Sequence, residues 1–135
     1  MARPIRLLLA GLLFAHGLIH LLGFMATWRI ATGGTIASTP YVGVYTPGDV
    51  TVLFLGVLWL VVAAAFVASA VALATRRAWW PQLTAAAALV SLVLCSLWWR
   101  DAMAGIVVNL AVLALVAFTI GRPSVHRAFL GGHPA

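Results

Sequence analysis

Lysine and glutamate are absent from this chain of 135 residues, and Asp49 and Asp101 are its only acids. Charged residues amount to 7% against 64% hydrophobic, whereas a soluble domain carries about 25% charge to dress its surface. A water-facing surface cannot be assembled from this inventory, so lipid must be the solvent. With no glutamate, and with Asp49 and Asp101 far apart in the chain, no apolar segment holds a pair of carboxylates. Cys95 is the only cysteine, which rules out an internal disulfide and any C-x-x-C metal or redox motif. Gly33–Gly34 and Gly131–Gly132 have no P-loop context, so this chain alone is no ATPase. The formal charge of +6 rests on eight arginines. They stand singly or in pairs at the ends of apolar runs, not in the stripe that nucleic acid requires, and that placement suits membrane orientation. The bias to Arg, Ala, Val and Leu points to a GC-rich bacterial genome.

What is present is long apolar sequence. One domain is all that this length allows. Four stretches approach the roughly 20 helical residues needed to cross a bilayer core: about 5–26, 50–74, 82–98 and 102–120. Backbone in lipid must satisfy its own hydrogen bonds, which predicts helices. The first stretch has the basic start and apolar core of a secretory signal peptide. No small-x-small cleavage site follows, and the run continues past His20, which favours a retained span. Arg3, Arg6, Arg76, Arg77, Arg122 and Arg127 share one side of a four-span chain, and Arg29 and Arg100 lie on the other with both aspartates. The positive-inside rule then places both termini in the cytoplasm of a bacterial inner membrane. Trp28, Trp79, Trp80, Trp98 and Trp99 fall at expected span ends, where such rings prefer to sit, and Trp59 lies inside the second span.

Residues 27–49 form a long outer loop rich in Gly, Thr, Ser and Pro. Tyr41 and Tyr45 are placed to dip back to the interface, and Pro47, Gly48 and Asp49 to stop the loop and cap the second helix. Tight turns at 75–81 and 99–101 make spans two, three and four sequential antiparallel neighbours. The tail 121–135 reads as an interfacial segment with a frayed end. Small residues at four-residue spacing, such as Gly11 and Ala15, or Ala64, Ala68 and Ala72, would let helices approach closely. The expected fold class is therefore all-α, an integral membrane antiparallel four-helix bundle.

Polar groups inside a span are expensive and usually face the bundle interior. His16 and His20, four residues apart, share one face of the first helix. Counted back from Ala26 they lie on the order of 15 Å and 9 Å deep. Asn109 comes to about 12 Å, Ser91 to roughly 12 Å and Trp59 to about 13 Å by the same count. Each helix thus offers one hydrogen-bonding group near one depth. Asp101 stands at the mouth of the fourth span, and Gly105, between Asp101 and Asn109, would leave room for a histidine ring. Three readings compete. The side chains could bond one another and hold the helices in register, with Asp101 capping the last helix, each bond contributing about 0.6 kcal/mol. They could form an outward-facing ligand or proton pocket, since histidine titrates near neutral pH. Or His16 and His20 could bind a metal, their spacing suiting zinc, though a site needs three or four ligands and Asp101 is too shallow to be a strong third. A bis-histidine haem within one chain is excluded, because His126 and His133 lie at the other end. Cys95, alone and buried, reads as packing rather than nucleophile.

The string HGLIHLLGF, from His16 to Phe24, resembles the opening of a family of small bacterial four-helix integral membrane proteins of unknown function. The run from Ser91 to Asn109, SLVLCSLWWRDAMAGIVVN, resembles its last third. Trp99, Asp101, Ala102, Gly105 and Asn109 fall on its W-x-D-A-x2-G-x3-N motif. Leu92 and Met103 depart from it, standing where the family has glutamine and lysine. The likeness covers roughly residues 5–118 and implies the same four-span fold and no established activity. Family members are sometimes labelled ABC-transporter permeases, but this chain lacks the size and coupling loop that a permease needs. A looser similarity to DoxX-like four-helix proteins, in the first helix only, is analogy of fold.

The expectation is a non-enzymatic component of the bacterial membrane, with a polar intramembrane pocket around His16, His20, Trp59, Ser91, Asp101, Gly105 and Asn109 for a small ligand, proton or metal. One alternative is a membrane-embedded enzyme or redox partner acting on a lipophilic substrate, with His16 or His20 as acid/base oriented by Asp101. Another is a transporter or channel subunit in an oligomer. The cofactor is left unknown. The expected partners are the lipid bilayer and candidate further copies or other membrane proteins, with no nucleic acid.

Overall fold

Four apolar runs close their backbone hydrogen bonds internally as helices, the only course open to a lone segment in lipid. The computed structural model describes residues 3–30, 37–41, 46, 48–122 and 129. Helix α1 spans Arg3–Thr27, α2 Val50–Ala74, α3 Trp80–Leu97 and α4 Trp99–Gly121. No strand occurs among the described residues. Tyr45, Pro47, His126, His133 and both Gly-Gly pairs lie outside them. All four helices are long and apolar enough to cross a membrane. The shortest, with 18 residues, is about 27 Å long, close to the roughly 30 Å hydrocarbon core. Leu8, Leu12, Ile19, Val50, Phe54, Val93 and Val107 are exposed on the outside. So large an apolar exterior is a lipid-facing surface.

Local chemistry sets the helix ends. The carboxylate of Asp49 accepts the N–H of Thr51 at 2.7 Å and caps α2, directly after Gly48 at φ +90°. Helices α1 and α2 both end on an arginine in the left-handed region, Arg29 (φ 54°) and Arg76 (φ 60°). In each case the following N–H reaches back five residues, Ile30 to Met25 at 2.9 Å and Arg77 to Ala72 at 2.8 Å. This is the Schellman closure that glycine more often makes. Pro81 sits in the first turn of α3, where its missing N–H removes no helical bond.

The turn expected at 99–101 lies earlier. Helices α3 and α4 join through Trp98 alone, residues 99–101 are already helical, and the irregularity falls at Ala102 (φ −111°, ψ 20°). Two of the tryptophans expected at the interface face the core instead, since Trp80 is 1% and Trp98 0% exposed. The small-residue stripes differ from expectation in part. Gly11, Ala15 and Ala64 are exposed, whereas Ala68 is half-buried and Ala72 buried. The close approach of α1 and α2 is made by Gly17 and Gly23. A methyl on Gly17 would meet Phe66 Cβ at 3.0 Å, and one on Gly23 would fall inside the Trp59 indole.

Helix α1 packs on α2, α2 on α3 and α3 on α4. Helices α1 and α4 are held more loosely: a hydrogen bond joins them at mid-height, and a cavity opens between them. Inside, Trp59, Val62, Phe66, Leu73, Trp80, Leu94 and Trp98 form one continuous core. Thr27, Thr84 and Thr119, also buried, return their hydroxyls to carbonyls of their own helices.

Candidate functional site

Four side chains from three helices meet in the core and are joined by hydrogen bonds. His16 and His20 come from one face of α1, Ser91 from α3 and Asn109 from α4. His16 Nε2 lies 3.3 Å from Asn109 Oδ1. Asn109 Nδ2 lies 2.7 Å from both Ser91 Oγ and the Gly105 carbonyl. Ser91 Oγ is 2.6 Å from His20 Nε2, and His20 Nδ1 is 2.8 Å from the His16 carbonyl. Ser91 and Asn109 are fully buried and His20 is 2% exposed.

The partners fix the direction of every bond. A carbonyl only accepts, so His20 carries its proton on Nδ1 and its Nε2 is an acceptor. The single proton of Ser91 must then go to His20 Nε2, and Ser91 Oγ accepts from Asn109. The Gly105 carbonyl fixes the Asn109 amide with Nδ2 toward it, leaving Oδ1 to face His16. His16 must therefore donate from Nε2, and its Nδ1 holds a lone pair. The bonds run in one sense around a closed ring: His16 to Asn109, Asn109 to Ser91, Ser91 to His20, His20 to the His16 carbonyl.

Aromatic walls hold the imidazoles. His16 and Phe66 meet edge to face at 4.7 Å, as do His16 and His20. His20 lies 5.3 Å from Phe66 and 5.4 Å from Trp59. Trp59 in turn meets Trp98 edge to face at 5.9 Å. Gly105 makes room for the sulfur of Cys95, not for a histidine ring, since a Cβ there would lie 2.8 Å from Cys95 Sγ. The thiol lies 3.8 Å from both Ser91 Oγ and Asn109 Nδ2. With the Ser91 proton committed to His20, Cys95 is the donor of its weak bond to Ser91.

Asp101 stands apart from this ring and touches neither histidine, so it cannot orient them. Its carboxylate accepts the Ala37 N–H at 2.7 Å and the Tyr41 hydroxyl at 3.0 Å. Trp98 Nε1 donates to the Ala37 carbonyl at 2.8 Å, the Tyr41 N–H to Leu97 O at 2.9 Å, and Arg100 lies over the Tyr41 ring. Residues 37–41 are thus clasped onto the α3–α4 turn, in the space beside Asp101 where an outward mouth was expected. The bond to Asp101 pushes the ionisation of Tyr41 above its ordinary range, and Arg100 opposes this weakly.

The cavity that reaches the ring lies elsewhere. A cleft of about 490 Å³ separates α1 from α4. Leu9, Leu12, Ala15 and Ile19 line one wall, Val108, Ala111 and Leu115 the other, and Leu73, Trp80 and Thr84 also border it. His16 stands in this lining, which is apolar but for the Thr84 hydroxyl and the Trp80 indole N–H. From Leu9 to Ile19 the cleft runs about 15 Å along α1. Leu12, Ile19, Val107 and Val108, all on its rim, are exposed on the lipid-facing surface.

Chemically, both nitrogens of His20 are engaged, and a metal on either would break the ring. Among the described residues no three His, Cys, Asp or Glu side chains lie close enough to share an ion. His16 Nδ1 has no hydrogen-bond partner among the described residues. It is also not among the sealed unpartnered atoms, which are Arg6 Nε, Trp59 Nε1, Ser69 Oγ and Trp80 Nε1. Sequence reasoning assembled the ring members and Trp59 by depth but missed Phe66 and the cleft. Phe66 and the alanines of the cleft carry no polar signal, and a lone cysteine such as Cys95 reads as packing.

No family model, no curated protein and no solved structure matches the chain.

Proposed function

We propose that this protein binds a lipophilic small molecule, taken from the bilayer into the cleft between α1 and α4 with its polar group at His16. The observation that carries the reading is an apolar cleft, open on the lipid-facing surface, whose wall includes His16 with an unused hydrogen-bonding atom that is not sealed by burial. Binding sites for small molecules are mostly apolar, of roughly 300–1,000 Å³, with a few placed polar groups. The ring behind His16 holds the imidazole in one tautomer and orientation, so the site is preorganised. We further propose that the chain sits in a bacterial inner membrane with both termini in the cytoplasm, as the arginine distribution favours. The cleft would then occupy the middle and cytoplasmic side of the bundle.

The test is binding of an apolar fluorescent or photoactivatable alkyl probe to the full chain in lipid nanodiscs. Ala111→Trp places an indole in the cleft from an exposed position of α4, so folding is expected to survive. Saturable probe binding that this variant abolishes supports the reading. Saturable binding that it leaves unchanged would place the ligand elsewhere, and non-saturable partition would remove the reading.

A further inference from the structure

The direction of the hydrogen-bond ring determines which kind of polar group the cleft can accept. His20 Nδ1 faces a carbonyl and Asn109 Nδ2 faces another; neither bond can be reversed, because carbonyls have no proton to give. Between these two fixed points every proton is committed. Ser91 donates to His20, and His16 donates from Nε2 to Asn109 Oδ1. The atom left on the neutral His16 ring is an acceptor, Nδ1. The rest of the cleft is apolar apart from Thr84, whose hydroxyl is returned to the Trp80 carbonyl at 2.7 Å, and Trp80, whose Nε1 has no partner but is sealed from the cleft by burial. A ligand carrying only acceptors, such as an ether, ester or ketone, would set its lone pairs against that of Nδ1. A hydroxyl would complete it.

We propose that the ligand of this cleft is a hydroxyl-bearing lipophile, an alcohol or phenol on an apolar chain, whose O–H donates to Nδ1 of His16. This rests on the reading that the cleft is a ligand site and adds the polarity of the group recognised. The length of the cleft, about 15 Å, gives the ligand its form: a slender chain lies along Leu12, Ala15 and Ala111 with its hydroxyl at the histidine. Asn109 is the positioning residue, because its acceptor oxygen holds the His16 proton on Nε2.

The experiment uses para-octylphenol and its methyl ether, which share an apolar body and differ in the one donor. Binding of each to the full chain in nanodiscs is measured by tryptophan fluorescence, corrected for partition into empty nanodiscs. The phenol is expected to bind about tenfold more tightly than the ether, the worth of one good hydrogen bond, and the preference to vanish in His16→Phe. In parallel, ¹⁵N NMR of labelled histidine should show a proton on His16 Nε2 and a bare Nδ1 that shifts on adding the phenol. Equal binding of phenol and ether, both blocked by Ala111→Trp, would leave the cleft a ligand site and overturn the inference about its polarity. A proton on Nδ1 with Nε2 bare would overturn it as well. Binding of neither probe would remove both the inference and the reading beneath it. If His16→Phe does not fold, the wild-type pair and the tautomer decide.

Discussion

Replacing Ser91 with alanine removes one oxygen from the centre of the bundle and tests whether the ring holds the helices together. Ser91 is fully buried, and the change opens little volume, so the effect comes from hydrogen bonding. Two bonds between helices are lost, from Asn109 Nδ2 at 2.7 Å and to His20 Nε2 at 2.6 Å. Bonds of this kind in membranes average about 0.6 kcal/mol and reach about 1.7. The loss should therefore be about 1–3 kcal/mol, short contacts in a sealed core favouring the upper part. The assay is reversible unfolding of the purified chain in mixed micelles of rising sodium dodecyl sulfate content. A double-mutant cycle with His20→Phe, which keeps a ring against Phe66 and Trp59, isolates the pair. If Ser91 acts through His20, the two losses should fall short of additivity by more than about 0.5 kcal/mol. A neutral Ser91→Ala, or strict additivity with His20→Phe, would refute the argument that these bonds stabilise the bundle.

Gly23→Ala should destabilise the bundle by about 1–3 kcal/mol, the usual cost of overpacking, because its methyl would enter the Trp59 indole; a variant as stable as the parent in the same unfolding assay would contradict the close packing of α1 on α2. Tyr41 should ionise above the ordinary tyrosine range of about 10, because its hydroxyl is held by Asp101. A raised folded-state value means that the clasp on the α3–α4 turn is intact below the ordinary range and lost as pH rises through the raised one. Ultraviolet titration should show one late tyrosine that returns toward the ordinary value in Asp101→Asn, and an unchanged titration would dissociate Tyr41 from Asp101.

The helices were legible because lipid imposes one requirement on the backbone and 18 or more apolar residues announce it. The polar layer was legible for a related reason: so few polar residues enter these spans that counting rise per residue put His16, His20, Ser91 and Asn109 near one depth. Depth carries no information on rotation about a helix axis, which is where the reading departed from the structure. Asp101 lies two turns from Asn109 on one helical face, yet its carboxylate is satisfied by Ala37 and Tyr41 from the loop. A loop without periodicity gives no signal of where it folds back. Trp80 and Trp98 show a second limit. At a span end, an indole suits the interface or the core equally well by composition, and only the packing against Phe129 and Trp59 separates the two. The cleft was not legible because it is made by an absence. Ala15 and Ala111 are too small to close the gap between α1 and α4, and alanine in an apolar run predicts close packing as readily as a void.

The two motifs singled out in the sequence become one object in the structure. HGLIHLLGF supplies His16 and His20 as the two ends of the ring, with Gly17 and Gly23 placing that face of α1 against Phe66 and Trp59. The second motif supplies Asn109 as the bridge and Gly105 as the carbonyl that sets its amide. Neither half satisfies its own polar atoms, so each requires the other at the same depth. The bridge also limits what the ring can do. An amide side chain donates and accepts hydrogen bonds, yet it does not take up and release a proton near neutral pH as an imidazole does. A proton reaching His16 Nδ1 from the cleft therefore stops at His16, because Asn109 stands between it and the Ser91–His20 pair. Chemistry at the cleft face is compatible with that arrangement, and proton transfer through the ring is not. The buried half of the ring serves to hold one imidazole still, and His16 is the member with an atom left to offer.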